Sequence, residues 1–170
     1  MQISDYIRDV QDFPKEGITF KDITPLLADK TAFAKAEEIL YTLVPEVAID
    51  VVVGIEARGF FYGPLLAKRL NAGFVPVRKP NKLPYTTIKK EYDLEYGTDV
   101  LVMHSDAIKP GDKVLLHDDV LATGGTAAAV VAMIEKLGGE VVQCNFIIEL
   151  DFLNGRSKLP GKHVAAAITY

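Results

Sequence analysis

The densest run of chemically useful residues is VLLHDDVLATGGTAAA at 114–129. A short apolar run delivers two consecutive acids, Asp118 and Asp119. A turn then leads through Ala122, Thr123, Gly124, Gly125 and Thr126 into a helical pattern. Such a helix start suits an anion. Its first N–H groups have no partner within the helix, and the helix dipole leaves partial positive charge there. Glycines let the backbone approach a phosphate closely, and threonine hydroxyls add donors. The two acids would repel a phosphate, so they suit sugar hydroxyls, which need acceptors, or a metal ion. No lysine follows Gly125, as a Walker-type loop requires, and the Gly-x-Gly-x-x-Gly spacing of a dinucleotide site is absent. Thr-Gly-Gly alone could be a helix cap after a solvated strand end. The whole run of acids, glycines and threonines between a strand and a helix is far more specific.

Two further segments carry charge in useful places. GIEARG at 54–59 follows an apolar run and sets Arg58 at a strand end, either as a surface charge or as a planar fork for two phosphate oxygens. In 79–97, KPNKLPYTTIKKEYDLEYG, the composition is polar with no clean period. Arg78, Lys79, Lys82, Lys89 and Lys90 fall within thirteen residues that hold no acid, before Glu91, Asp93 and Glu95. Such a cluster is ordinarily a solvated face; toward a small polyanion it becomes an electrostatic funnel. A connection this long in a compact domain is usually a lid or a mobile loop.

The elements that must position these residues alternate. Strands are expected at 50–54, 74–77, 114–116, 140–149 and 164–169, and helices at 31–43, 61–70 and 126–137, the last stopped by Gly138 and Gly139. Short β-branched runs between helices predict an α/β fold with a mainly parallel sheet. The run DVVVG suits a strand buried on both faces. The irregular segment DFPKEGITFKDITPLL and the 79–97 segment lie outside that rhythm, as candidates for substrate contact.

Composition removes other classes. The chain has 170 residues, 49% apolar and 25% charged, with 19 basic and 23 acidic side chains and a net charge of −4. That length and composition suit one globular domain over 1–170. The acidic balance argues against a nucleic-acid coat. Cys144 is the single cysteine, so neither an internal disulfide nor a cysteine zinc cage is possible, and it reads as a buried, inert thiol. His104 and His163 show no metal-ligand spacing. The first residues lack the apolar core of a secretory signal, and no apolar run approaches a membrane span, so the expected location is cytoplasmic, with no nucleic-acid or membrane partner.

The run HDDVLATGGT resembles the phosphoribosyl pyrophosphate (PRPP) motif of type I phosphoribosyltransferases. DFPKEGITFKDITPLL, GIEARGFFYGP and YDLEYG extend the resemblance over nearly the whole chain, toward the purine-salvage members that take adenine. The plain departure is His117, where an apolar residue is more usual. The resemblance implies a Rossmann-like core with a mainly parallel central sheet flanked by helices, an N-terminal hood over 1–30 and a flexible catalytic loop over 79–97. It implies that Asp118 and Asp119 hold the ribose hydroxyls, while Ala122, Thr123, Gly124, Gly125 and Thr126 hold the 5′-phosphate. Glu56, Ala57 and Arg58, with Arg78, Lys79 and Lys82, would meet pyrophosphate, with a cis peptide between Glu56 and Ala57. Glu95 would close over the base and handle its proton, with Tyr96 beside the reacting centre. Thr19, Phe20 and Lys21 on one side and Leu150 on the other would hold adenine. Mg²⁺ would travel on the substrate near Asp118 and Asp119, and the chain would pair as a homodimer, with Phe60, Phe61 and Tyr62 in packing or in that contact. The competing readings are a transferase for guanine or xanthine and a non-catalytic PRPP sensor.

Overall fold

A computed structural model of the chain describes residues 1–94 and 97–170. It divides into two compact units, Met1–Ile39 and Leu40–Tyr170. In the N-terminal unit, β1 (Arg8–Val10) and β2 (Phe20–Asp22) form an antiparallel ribbon, followed by a short helix α1 (Thr24–Ala28). Helix α2 (Lys30–Thr42) crosses the boundary, with Ala32, Ala36 and Leu40 buried along one face at the spacing of a helical stripe. Asp29 opens it: its Oδ1 accepts the backbone N–H groups of Thr31 and Ala32.

The larger unit holds β3 (Val51–Ile55), α3 (Gly63–Arg69), β4 (Gly73–Val77), β5 (Thr87–Asp93), β6 (Thr98–His104), β7 (Lys113–Leu121), α4 (Gly125–Lys136), β8 (Glu140–Glu149) and β9 (Val164–Thr169). Five of these strands form an all-parallel sheet in the order β4-β3-β7-β8-β9. All five residues of β3 are buried, as is most of β8, which is why they read as continuous apolar runs. Val53, Leu116, Val130, Ile134 and Phe146 belong to one core cluster between sheet and helix. Helix α4 ends where Gly138 takes a positive φ of 91°, the left-handed turn expected of that glycine.

The order of the strands decides where a ligand can sit. From β3 the chain moves outward to β4, then returns past β3 to its other side as β7. Connections therefore leave β3 and β7 in opposite directions, and the carboxyl ends of this pair bound a crevice.

Three expectations need correction. The strand placed at 114–116 runs on to Leu121, so Asp118 and Asp119 lie within β7 rather than after it. Their pairing to β8 continues through Leu121↔Glu149, but pairing to β3 stops at Gly54↔His117. The acids thus emerge beyond their shorter neighbour. The 79–97 segment is not loop throughout: residues 87–93 are β5, paired antiparallel with β6, a strand the sequence reading lacked. In β5 only Ile88 and Tyr92 are partly shielded, so a ribbon open to solvent hid its alternation. Finally, the helix expected at 61–70 starts at Gly63, after a short 3₁₀ turn over Arg58–Phe60.

Candidate active site at the carboxyl ends of β3 and β7

After β3 the chain turns through Glu56 and Ala57, joined by a cis peptide as expected, into the Arg58–Phe60 turn. Arg58 Nε lies 2.9 Å from Asp119 Oδ2, so the two strand ends are joined by an ion pair. The Asp119 side chain is only 4% exposed, against 40% for Arg58, so the carboxylate is fixed and the guanidinium keeps a face toward the opening. Burial raises the pKa of both acids. For Asp118 the neighbouring Asp119 charge adds to that rise; for Asp119 the Arg58 guanidinium opposes it. Negative charge is thus concentrated here and incompletely neutralised.

Beyond β7 the chain passes through Ala122 and Thr123 to Gly124, which takes φ +83° at the N-cap position of α4. No side chain caps this helix, so Thr123 is not the cap that the simpler reading of Thr-Gly-Gly allowed, and the N-terminal N–H groups are left for a ligand. A Cβ at Gly124 would collide with the carbonyl oxygen of Gly155, and one at Gly155 with that of Ala122. The loop therefore rests directly on the 3₁₀ turn Gly155–Lys158. That turn is held by Arg156, which forks onto Glu149 at 2.6 and 2.7 Å and donates to Val164 O at 3.0 Å. Neither Glu149 nor the 155–158 turn was singled out from sequence; the glycine-arginine pair is the only local signal.

The end of β4 supplies the third wall. Glu56 Oε2 accepts the backbone N–H of Lys79 at 2.8 Å and Nε of Arg78 at 3.2 Å. The Lys79 hydrogen bond holds the Glu56 pKa below its ordinary value; burial opposes this and Arg78 reinforces it. Glu56 acts here as a bracket that sets the two cations beside the β3 turn. Arg78 in turn donates to Lys82 O at 3.4 Å, and the Lys82 side chain stays exposed. Together these segments line a cleft of about 260 Å³ that includes Glu56, Arg58, Lys79, Asp118, Asp119 and Thr126.

Tyr92 and Asp99 also line it, and the sequence reading assigned neither. They face each other in the β5–β6 register, and Asp99 pairs with Lys79. Burial is the largest single influence, raising the Asp99 pKa and lowering that of Lys79, but the hydrogen bond between them and the surrounding charges and donors together reverse it, leaving the acid lowered and the ammonium raised. Among the described residues no cluster of three or more His, Cys, Asp or Glu could enclose a metal ion.

Other expected residues are placed as follows. Glu95 and Tyr96 lie outside the described residues. Leu150 follows β8 in the larger unit and its N–H donates to Leu121 O at 2.9 Å. In the N-terminal unit, Thr19 Oγ1 donates to Gln11 Oε1 at 2.9 Å, Lys21 pairs with Asp9 at 2.7 Å, and the Phe20 ring stands edge-on to Phe13 at 5.2 Å. His117 is fully buried, with Nδ1 3.0 Å from Asn145 Oδ1, and burial lowers its pKa to about 4. Cys144 is buried, which lifts its pKa to about 12, as an inert thiol requires. Tyr62 is fully buried and the Phe60 ring meets Phe74 edge-on at 6.0 Å, so both pack internally.

A model of the family described as phosphoribosyl transferase domain matches residues 22–162. A curated relative named adenine phosphoribosyltransferase, from Flavobacterium johnsoniae, is 62% identical over 170 residues, covering 100% of both chains. Among solved structures, adenine phosphoribosyltransferase from Rhodothermus marinus superposes with a TM-score of 0.93 at 53% identity, covering 99% of this chain and 96% of that one. The Saccharomyces cerevisiae enzyme, solved with an iminoaltritol bisphosphate and adenine, gives 0.91 at 42% identity, covering 97% and 96% of the two chains.

Proposed function

Since the chain belongs to the adenine phosphoribosyltransferases of the phosphoribosyl transferase domain family, we propose that it transfers the 5-phosphoribosyl group of PRPP to adenine, releasing pyrophosphate and leaving AMP. The observation that carries the reading is the meeting of the β3 turn and the uncapped start of α4 in one cleft, with Arg58 2.9 Å from Asp119.

The reaction replaces pyrophosphate by a purine nitrogen at C1′ of ribose, through a sugar with oxocarbenium character. The N–H groups of the 122–126 loop and the hydroxyls of Thr123 and Thr126 would hold the 5′-phosphate, as far along the sugar from C1′ as the molecule allows. Asp118 and Asp119 would accept from the ribose hydroxyls. Fixing both features leaves C1′ facing the β3 turn, where backbone groups of Glu56 and Ala57 and the charges of Arg58, Arg78, Lys79 and Lys82 would stabilise the departing pyrophosphate. Glu95 would hold or pass the proton on the purine, with Tyr96 beside the sugar. Leu150, after β8, would contact the base from the larger unit.

The donor set suits a magnesium ion that arrives on the substrate rather than one caged by protein: two adjacent carboxylates, raised in pKa chiefly by burial, with no metal-holding cluster of three among the described residues. Bound there, Mg²⁺ supplies charge neutralisation of the pyrophosphate. A homodimer is part of the same reading, measurable as mass in solution by sedimentation.

The test is a panel of adenine, guanine, hypoxanthine and xanthine with PRPP, with and without Mg²⁺, following nucleotide and pyrophosphate. Adenine is expected to be the base consumed, and only with the metal. Turnover of another purine in its place overturns the substrate; no turnover with any base supports a PRPP sensor.

A further inference from the structure

Asp99 lies opposite Tyr92 in the β5–β6 register, where that ribbon borders the cleft. Its Oδ2 takes the Lys79 ammonium and the Tyr92 hydroxyl, the latter at 3.2 Å, while Oδ1 accepts the Val100 N–H at 2.8 Å. The Tyr92 oxygen in turn accepts from Thr126 Oγ1 at 3.3 Å. One hydrogen-bonded chain therefore runs from a cation on the β4 side of the cleft to the first turn of α4. The Asp99 side chain is 29% exposed and that of Lys79 is 40% exposed, so both can be reached by an incoming anion.

This carboxylate is out of place in a cleft that must take a polyanion. It adds a fourth acid to a cleft already lined by Glu56, Asp118 and Asp119, and it engages a lysine that the phosphate groups need. Two effects of opposite sign follow from it. As a partner that orders Lys79, it would strengthen anion binding, but half-exposed ion pairs order a lysine only weakly. As the acceptor that already holds the Lys79 ammonium, it would weaken binding, because a phosphate must displace it, and in a partly desolvated cleft that competition of two anions for one cation is the larger effect.

Resting on the reading of this cleft as the site of PRPP and pyrophosphate, we propose that Asp99 is an exchange partner for Lys79. It holds the ammonium while the cleft is empty and yields it to the pyrophosphate group when the cleft fills. Each binding event then breaks an existing ion pair. Asp99 thereby holds down the affinity for both PRPP and the pyrophosphate product, and retakes Lys79 as the product leaves. Tyr92 contributes by donating to the same oxygen, keeping the carboxylate turned toward Lys79.

Asp99→Asn preserves the shape and still accepts from Lys79 and Tyr92, but removes the charge. Calorimetric titration with Mg-pyrophosphate is expected to show binding about fivefold tighter than in the wild type, with a matching fall in KM for PRPP and no change in KM for adenine. In a Lys79→Gln background the same substitution should change pyrophosphate affinity by less than about twofold, because there is no ammonium to exchange. Asp99→Ser carries the same expectation should the asparagine variant fold poorly. Unchanged or weaker pyrophosphate binding by the variants, beside a wild type that binds, overturns the exchange role and leaves the function standing. An equal gain in the Lys79→Gln background also overturns it, as diffuse charge. A wild type that binds neither pyrophosphate nor PRPP overturns the reading of the cleft and this inference with it.

Discussion

His117 shows how strongly burial can govern a single side chain next to the two acids of the proposed site. It immediately precedes Asp118 and is fully buried, with one ring nitrogen bonded to Asn145. Asn145 passes the connection on, donating to Leu40 O and Gln143 Oε1, each at 3.2 Å; Gln143 donates to Leu43 O at 2.7 Å. Polar side chains of β8 thus satisfy carbonyls at the end of α2 that the helix itself leaves open. Burial lowers the His117 pKa from 6.5 to about 4, so the folded protein keeps the ring neutral while the unfolded chain protonates it. Stability from this residue is complete above about pH 6.5 and is lost as pH falls toward 4, by about 3 kcal/mol in all. His117→Gln retains a hydrogen-bonding side chain and removes the titration. Urea unfolding at pH 7 and pH 4 should show the wild type losing that much more stability than the variant; parallel losses would mean the ring is charged when folded.

At the scale of elements, the proposed phosphate loop depends on two backbone segments touching without side chains between them. Gly124 needs a positive φ of 83°, and its missing Cβ is the space occupied by the Gly155 carbonyl. Gly161 has a similar φ of 73° but open space around it. Gly161→Ala should therefore cost only backbone strain, about 1 kcal/mol, whereas Gly124→Ala adds a collision and should cost about 3 kcal/mol or more. Thermal unfolding of both variants measures the difference. The Gly124 variant should also show a raised KM for PRPP with KM for adenine unchanged, since in the proposed site the displaced loop would hold only the phosphate. Equal stabilities for the two variants would show that the 155–158 turn yields freely.

For the molecule as a whole, a net charge of −4 averages over opposed local fields. Arg58 and Lys79 line a cleft that also carries Asp118 and Asp119, with Arg78 beside it on Glu56. The proposed substrates differ in charge, so salt should separate them. KM for PRPP is expected to rise roughly fivefold between about 0.05 and about 0.5 M salt, while KM for neutral adenine stays level. Steady-state kinetics across that range at fixed Mg²⁺ gives the comparison, and parallel changes in the two constants would argue against electrostatic capture.

The sequence by itself determined the parallel core and the motifs at its ends. Val51–Ile55 and Glu140–Glu149 are legible because a strand buried on both faces must be apolar throughout. The turn proposed to bind phosphate is legible because a helix start, two glycines and two threonines are all local. Residues that reach the cleft by non-local pairing were not legible. Tyr92 and Asp99 meet across a pairing whose first strand, β5, is largely exposed and carries no apolar alternation, and Gly155 meets Gly124 across thirty residues of chain. Only the tertiary structure decided which charges neighbour one another: that Arg58 takes Asp119, that Glu56 brackets Arg78 and the Lys79 backbone, and that Asp99 engages Lys79. A composition counts charges, and a motif orders them along the chain. Their energies depend on separation and burial, which exist only once the strands have paired.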